Sequence, residues 1–342
     1  MTTNMRDSPN FPINLAIQPS EPPTALRPLL GTVSPTKATD SSIIEQPQPN
    51  SSYVQDIDGF GIAGRIWEAA YLLPLYLCHI RNDMIYDPPC SLQIQVDDAN
   101  SQPLTAINPR QVIVELGSGT GYVGLELARN SPARNLIILT DLPEVCPLLE
   151  RNRANMMQAT DQTWNGAEVQ VWPLPWGSGG DAEELSLMVN RSIGNGITHI
   201  ICSDLVYFPP LLPLLLRTLL HLTSPMSSTR GDQSVEVIIS YKIRSLAFEI
   251  PFWIAFGAWF DFQPVLQQHQ RQSFDDGAYG YDGKQESRWK RLGSSGDDGY
   301  FVFVARRRHE SYDWEIPKDD EQLMCGRGDG TFESILLLGI DV

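Results

Sequence analysis

Short apolar runs alternate with polar stretches rich in glycine and proline along this chain. In residues 111–129, three β-branched residues lead into a glycine-rich turn, which is followed by apolar residues at helical spacing. This succession predicts a strand, a tight turn and a helix, the opening unit of a doubly wound α/β domain. Four further apolar runs predict parallel strands after it: residues 136–140, 169–172, 198–203 and 235–240.

The second half of the chain predicts how this sheet closes. Residues 249–259 carry four aromatic side chains, and we expect this helix to pack against the sheet instead of docking on a membrane. Residues 260–266 and 300–306 predict a closing antiparallel pair, with residues 267–299 as a mobile insertion between them. The predicted fold is therefore α/β, with a mostly parallel sheet, an antiparallel closing strand and helices on both faces.

The regions flanking the predicted sheet differ in composition. Residues 1–55 are rich in proline, serine, threonine, asparagine and glutamine, which predicts a disordered tail. Residues 59–80 predict an amphipathic helix that kinks or restarts at Pro74. We expect a domain over residues 56–310 and a C-terminal extension over 311–342, whose apolar end adds an edge strand or docks on the domain.

The glycine-rich turn indicates a ligand site. Gly117, Gly119 and Gly121 allow a close backbone approach, and Gly119, Gly121 and Gly124 also form the G-x-G-x-x-G pattern of dinucleotide-binding loops. Glu115 precedes the turn, and its carboxylate would repel a pyrophosphate but suit a ligand with a cationic, methionine-like end. We therefore favour S-adenosylmethionine over a dinucleotide as the ligand of this turn.

Three further residues are candidates for the same ligand site. Asp141 follows the second predicted strand, where an acidic side chain can accept the ribose hydroxyls; the alternative is a helix cap. Trp176 follows the third strand and either stacks on a purine or plugs the core. Trp67, in the preceding helical segment, is either a lid over the cofactor or a core aromatic.

The end of the fourth predicted strand carries the candidate chemistry. This strand should lie beside the first, and ligands of open α/β sheets bind in the crevice between two such strands. The small residue Ser203 leaves room for a ligand, Asp204 can orient or desolvate an amine, and Tyr207 can wall a narrow channel. The alternative for Asp204 is a helix cap. His199 lies inside the strand, so we expect it to be a hydrogen-bonded sheet residue.

Composition and charge limit the classes of binding partner and the cellular environment that the sequence predicts. The net charge of the 342 residues is −16, which argues against nucleic acid as the main partner. Five cysteines without C-x-x-C spacing predict a reduced, intracellular protein without structural zinc, and we expect a cytoplasmic location and no metal site. The apolar run over residues 209–222 is too short and too interrupted to span a membrane, and no leader sequence is recognisable.

Several motifs of the chain resemble those of the seven-β-strand protein-lysine methyltransferases of the methyltransferase family 16 type. The matching motifs keep the family's order from residue 59 to residue 308: GRIWEAA, VELGSGTGYVGLELA, LTDLPEVCPLLERNRAN, LPWG, SDLVY and the stretch from YKIR through EIPFW. The resemblance implies methylation of a lysine in a non-histone protein such as an elongation factor, a chaperone or an ATPase. It also implies a seven-stranded sheet, S-adenosylmethionine as methyl donor and a monomer.

The resemblance also assigns residues to the site. Asp204 and Tyr207 would shape the lysine site. The donor would contact Trp67, Glu115, Gly117, Gly119, Asp141, Leu142, Trp176 and Ser203. Three alternatives remain open: a small-molecule N-methyltransferase on the same fold, a nicotinamide-dependent oxidoreductase and a non-catalytic adaptor.

Overall fold

The computed structural model describes residues 17–23, 53–81, 83–92, 109–159, 164–224, 234–270, 289–294, 299–325, 328 and 330–338. Most of the predicted disordered tail over residues 1–55, and residues 271–288 of the predicted insertion, lie outside these described residues.

The described residues form strands and helices in the predicted alternation. The strands are β1 (Met84–Asp87), β2 (Val112–Leu116), β3 (Leu136–Asp141), β4 (Glu168–Pro173), β5 (His199–Ser203), β6 (Glu236–Lys242), β7 (Phe260–Pro264), β8 (Leu266–His269), β9 (Lys290–Arg291) and β10 (Tyr300–Arg307). The helices are α1 (Ile57–Phe60), α2 (Leu73–Leu77), α3 (Tyr122–Asn130), α4 (Cys146–Ala159), α5 (Gly179–Ile193), α6 (Leu212–Leu222), α7 (Leu246–Trp259), α8 (Asp320–Met324) and α9 (Thr331–Leu338).

Seven of these strands form one sheet in the order β4-β3-β2-β5-β6-β10-β7. The strands from β4 to β6 pair in parallel, and β10 pairs antiparallel with both of its neighbours. This arrangement confirms the predicted doubly wound sheet with its antiparallel closing strand. Strand β5 lies beside β2, as predicted, so the carboxyl ends of both strands meet at one edge of the sheet.

Strand β2 is buried on both faces, which explains its continuous run of apolar residues. Val112, Val114 and Leu116 face one hydrophobic core, together with residues of α5, α6 and α7. Ile113 faces the other core, together with residues of α2, α3 and α4. Helices therefore cover both faces of the sheet, as predicted.

The predicted amphipathic helix over residues 59–80 is instead a series of short turns. Two 3-10 helices, Gly61–Gly64 and Glu68–Leu72, lie between α1 and α2, and Pro74 stands in the first turn of α2. The predicted restart at Pro74 is therefore confirmed, but a continuous helix before it is wrong. Close backbone contact is the physical reason: a Cβ atom on Gly64 would lie 2.1 Å from the Asp56 carbonyl oxygen.

Two predictions for the periphery are corrected. The ends of the predicted mobile insertion form strands β8 and β9, which join β1 in a second, three-stranded sheet. The apolar C-terminal segment is a helix, α9, and not an edge strand. It docks on the domain, the other predicted alternative, because the ring of its Phe332 stacks on Trp253 of α7 at a centroid distance of 5.0 Å.

A described part of the predicted tail, residues 17–23, contacts the domain. The side chain of Gln55 accepts hydrogen bonds from the backbone N–H groups of Ser20 and Ile66, at 3.0 and 3.1 Å. The same amide donates to the Ser20 carbonyl at 2.9 Å. Gln55 thus ties this segment to the backbone beside Trp67.

The aromatic helix α7 packs in the core, as predicted. Phe252, Trp253 and Phe256 are fully buried, and the Phe256 ring stacks on Phe260 at a centroid distance of 4.5 Å. We expect Phe256→Ala to lower the free energy of unfolding by about 3–5 kcal/mol, because it leaves a cavity in a packed aromatic cluster. Urea unfolding measures this loss. Phe248→Ala is the control on the same helix: Phe248 is 63% exposed, so its loss should change stability by less than about 0.5 kcal/mol. Equal losses for the two variants would contradict the prediction.

Candidate active site

A cavity lies at the carboxyl edge of the large sheet, beside the crevice between β2 and β5. All ten residues that the sequence predicts for the site line this cavity: Trp67, Glu115, Gly117, Gly119, Asp141, Leu142, Trp176, Ser203, Asp204 and Tyr207. The structure therefore brings together residues that are up to 140 positions apart in the sequence.

The glycine turn between β2 and α3 requires residues without a Cβ atom. Gly117, Gly119 and Gly121 all have positive φ angles, of 55°, 55° and 76°. A Cβ atom on Gly119 would lie 2.8 Å from the carbonyl oxygen of Ala63, so the segment before Trp67 closes directly over the turn. The turn is thus both conformationally restricted and tightly covered.

Glu115 is buried at the floor of the cavity. Its Oε2 atom accepts a hydrogen bond of 3.0 Å from the N–H of Gly124, in the first turn of α3, where helix N–H groups lack partners within the helix. Burial raises the pKa of Glu115 to about 8, although the Gly124 hydrogen bond partly opposes this shift. Glu115 therefore fixes the helix relative to the turn and is poised to respond to a cationic ligand.

Asp141 lies at the end of β3 and is 8% exposed. Its two oxygens accept hydrogen bonds of 2.8 Å from the N–H groups of Gly119 and Leu142. Burial raises its pKa to about 6, against the opposing effect of these two bonds. The helix-cap alternative is wrong, because α4 begins only at Cys146. A carboxylate has about four acceptor positions, so two remain for a ligand.

These raised pKa values predict a pH dependence of stability. The pKa of Glu115 is raised from 4.5 to about 8 in the folded protein, so the folded state holds this proton more strongly than the unfolded chain. The contribution of this bound proton to the stability of the folded state is complete below the pKa that Glu115 has in the unfolded chain. It is lost as the pH rises through the pKa that Glu115 has in the folded protein. Glu115→Gln stays neutral throughout. We therefore expect the Tm of ligand-free Glu115→Gln, relative to the parent protein, to rise by at least about 2 °C from about pH 5 to about pH 8.

Differential scanning calorimetry at several pH values measures this difference. Glu168→Gln is the control, since the side chain of Glu168 is 49% exposed and pairs with Arg110 at the surface. A Tm difference for Glu115→Gln that does not change with pH would contradict the prediction.

Asp204, immediately after β5, has a strained backbone and a fully paired carboxylate. Its φ angle is +60°, a conformation that residues other than glycine rarely adopt. Both of its oxygens accept hydrogen bonds from Arg244, at 2.7 and 2.6 Å. The helix-cap alternative is wrong here too, because the side chain points to Arg244 and α6 begins only at Leu212.

Arg244 is the residue of this site that sequence reasoning missed. It lies two residues beyond β6, within the YKIR motif. The carboxylate of Glu249, in the first turn of α7, accepts hydrogen bonds from the backbone N–H groups of Arg244 and Ser245 and from the Tyr241 hydroxyl. The sequence offered one signal for Arg244. An arginine follows β6, the strand that lies beside β5, and Asp204 follows β5.

The rings of Trp67 and Tyr207 lie next to each other at the cavity. Their centroids are 6.4 Å apart and their planes are inclined by 14°. The guanidinium groups of Arg65 and Arg244 lie over the Trp67 ring, at 4.7 and 5.3 Å from its centroid. Trp67 belongs to neither of the two hydrophobic cores described above, which favours the lid interpretation.

Trp176 and His199 lie in different environments. Trp176 packs against one core and also lines the cavity, so both interpretations of this residue stay open. His199 is hydrogen-bonded within the sheet, as predicted: its ring nitrogens lie 2.9 Å from the Ser91 hydroxyl and 2.8 Å from the Thr198 hydroxyl. Burial lowers the pKa of His199 to about 4, so this side chain is neutral near pH 7.

Two further findings concern metal ions and membranes. Among the described residues, no cluster of three or more histidine, cysteine or acidic side chains has the arrangement needed to hold a metal ion. The part of the chain that the structure describes also holds no helix that is long and apolar enough to cross a membrane.

Comparison with protein families gives one family match. A family described as lysine methyltransferase matches residues 47–252, which is more than half of the chain. The matched region includes the glycine turn, Asp141, Asp204 and Arg244.

Three characterised relatives share about half of the chain. The protein-lysine N-methyltransferase EFM6 of Saccharomyces cerevisiae is 28% identical over 54% of this chain and 68% of its own length. The protein N-lysine methyltransferase METTL21A of Danio rerio is 30% identical over 56% of this chain and 65% of its own length. The EEF1A lysine methyltransferase 3 of Mus musculus is 28% identical over 48% of this chain and 53% of its own length. The chain thus spans between about half and two thirds of the length of these relatives.

Proposed function

Because this chain belongs to the lysine methyltransferase family, we propose that it transfers a methyl group from S-adenosylmethionine to the lysine side chain of a non-histone protein. One observation of the structure carries the proposal. A single cavity joins two buried carboxylates, Glu115 and Asp141, to the aromatic pair Trp67 and Tyr207. The two carboxylates suit a cationic donor, and the two aromatic rings suit the alkyl stem of a lysine.

The residues of the cavity fit this donor. Asp141 keeps two acceptor positions for ribose hydroxyls, and Glu115 is a buried carboxylate whose ionised form a nearby positive charge would favour. A pyrophosphate would meet the two carboxylates with like charge, which argues against a dinucleotide. The other donor contacts of the proposal are Trp67, Gly117, Gly119, Leu142, Trp176 and Ser203.

The proposed reaction is an in-line displacement at the end of β5. When bound, S-adenosylmethionine supplies an electrophilic methyl group on a sulfonium. The lysine nitrogen forms a bond to the methyl carbon as the carbon–sulfur bond breaks, the electron pair stays on sulfur, and the methylated amine releases one proton to water. The chain must position a neutral lysine amine, although the ordinary pKa of this amine is about 10.4. Effective positioning lowers the activation barrier by roughly 7–11 kcal/mol.

Asp204 and Tyr207 are the residues that we assign to the lysine. Tyr207, half-buried and stacked beside Trp67, would form one wall of the channel. The four acceptor positions of the Asp204 carboxylate already receive hydrogen bonds from Arg244, Ala69 and Lys242. Asp204 would therefore hold the amine through its backbone carbonyl and not through its carboxylate.

We extend the proposal to the organisation of the whole chain. Residues 56–310 would form the methyltransferase domain, with a tail before it and an extension after it. The domain would act as a monomer in the cytoplasm, on a protein partner and not on nucleic acid. The net charge of −16 supports a partner with a basic surface around its lysine. An elongation factor or a chaperone is the class of substrate that we would examine first.

Labelling of a cell lysate tests the proposed function. The full chain is incubated with S-adenosylmethionine labelled in its methyl group and with lysate from its own cells, and labelled proteins are hydrolysed for amino-acid analysis. We expect a discrete labelled protein whose label is recovered as methyl-lysine. Label found only in small molecules would favour the small-molecule alternative. Donor binding without any label would favour the adaptor alternative.

A further inference from the structure

The Asp204 carboxylate differs from the other carboxylates of the cavity because it is saturated with donors. Arg244 binds both oxygens at 2.6–2.7 Å, and the backbone N–H groups of Ala69 and Lys242 contribute longer bonds of 3.3 and 3.4 Å. The Asp204 side chain is fully buried in this ion pair, whereas the Arg244 side chain is 26% exposed. Asp204 therefore joins three parts of the structure: the covering segment (residues 59–80, which closes over the glycine turn), the end of β6 and Arg244.

Arg244 is itself held in place from three sides. The Glu249 carboxylate binds its backbone N–H, a carboxylate oxygen of Glu68 lies 3.5 Å from its guanidinium, and the ring of Trp67 lies under that guanidinium. Burial alone would lower the pKa of Arg244, but the hydrogen-bonded ion pair with Asp204 outweighs this effect and raises it. The guanidinium of Arg244 is thus charged near neutral pH.

The charges around the proposed lysine channel balance. Arg65 pairs with Glu68, and Arg244 pairs with both Glu68 and Asp204, so this cluster holds two cationic and two anionic groups. Other titratable groups face the cluster or flank it: Lys242 at the end of β6, Glu249 in α7, Tyr207 after β5 and Asp141 at the end of β3. An amine that enters beside Tyr207 therefore meets no uncompensated carboxylate of the cluster.

We propose that Arg244 is a positioning residue that cancels the charge of Asp204, so that the lysine enters the channel as a neutral amine. This inference rests on the proposed function of the site. Without Arg244, the Asp204 carboxylate would keep its two backbone hydrogen bonds but would lack a cationic partner beside the channel. It would then stabilise the ammonium form of the lysine, which cannot accept a methyl group. An opposite charge within about 4–6 Å raises the pKa of an amine by roughly 1–3 units.

Binding of n-butylamine, which reproduces the lysine side chain, tests this inference without knowledge of the protein substrate. Its affinity is measured by NMR titration from about pH 7 to about pH 10 in the presence of S-adenosylhomocysteine. For the parent protein, we expect binding to strengthen with pH as the neutral amine forms. For Arg244→Gln, we expect n-butylamine binding at about pH 7 to be at least about tenfold tighter than for the parent protein, because the variant also binds the protonated form of the amine.

Two further variants separate charge from structural damage. Arg244→Lys keeps the positive charge and should retain the pH dependence of the parent protein. Arg110 lies just before β2 and forms a partly exposed ion pair with Glu168; Arg110→Gln removes this pair and should behave as the parent protein does. A damaged site would weaken binding, so a gain of binding at neutral pH cannot result from misfolding.

The outcomes distinguish this inference from the proposed function. Equal pH dependence for the parent and Arg244→Gln would overturn the inference, and so would the absence of n-butylamine binding to both proteins. If n-butylamine binds with the expected pH dependence but the lysate labelling yields no methyl-lysine, the role of Arg244 stands and the proposed function fails.

Discussion

Replacing Asp204 with alanine should reduce methyl transfer at least about a hundredfold, while the affinity for S-adenosylmethionine stays within about threefold of the parent. The partners of the Asp204 carboxylate are Arg244 and two backbone N–H groups, and neither Glu115 nor Asp141, which we propose as donor contacts, is among them. The loss of this carboxylate would leave Arg244 without its buried ion-pair partner and would free the strained backbone at the end of β5, where the amine must be aligned. Initial rates with labelled donor and calorimetric donor binding measure the two effects separately.

The control for Asp204→Ala is a matched acidic residue. Asp261 also forms an ion pair with an arginine, Arg308, but its side chain is 69% exposed, so Asp261→Ala should keep full activity. Removing one partner of a buried ion pair costs about 3–5 kcal/mol of stability, so Asp204→Asn is measured in parallel as a milder change. Full activity of a folded Asp204→Asn and Asp204→Ala would rule out the assigned role.

Replacing Glu115 with alanine is expected to weaken donor binding by at least about a hundredfold. Two effects act together: the cavity loses a carboxylate that can balance a cationic donor, and the Gly124 N–H loses its partner at 3.0 Å. Glu115→Gln separates the two effects, because it retains a hydrogen-bond acceptor but not the charge. Isothermal titration with S-adenosylmethionine measures all three proteins.

The outcomes for Glu115 have different meanings. Weak binding by both variants would indicate that the charge acts on the donor, whereas weak binding by the alanine variant alone would indicate that Glu115 acts by holding α3. Glu168→Ala, at the exposed start of β4, is the control. Donor affinity of Glu115→Ala equal to that of the parent would refute both roles.

The order of the elements was predictable from the sequence because the central strands are buried on both faces. Burial on both faces produces continuous apolar runs such as Ile137–Ile138 in β3, and the glycine turn after β2 has a distinctive backbone requirement. The candidate site followed from this order, since parallel strands bring their carboxyl ends to one edge.

The details that were not predicted depend on contacts between distant segments. The partner of Asp204 could not be identified, because the pairing of β5 with β6 decides which residue after β6 lies opposite it. The covering segment over residues 59–80 has helical periodicity, yet its chain must pass within contact distance of the Gly119 backbone, which favours short 3-10 turns. The β8 and β9 strands were missed because short polar strands lack a period-2 pattern.

The two-sided burial of β2 has a consequence for how such a protein can diversify. Val114 and Ile113 face opposite cores, so a polar substitution at either position would be destabilising, and a one-residue shift would exchange the two cores. Substitutions that alter specificity are therefore expected outside the sheet, in the segments after β5 and β6 that carry Tyr207 and Arg244 and in the segment over residues 59–80 that carries Trp67. Changes in these segments can alter which partner the site accepts while the packing on both faces of β2 stays intact.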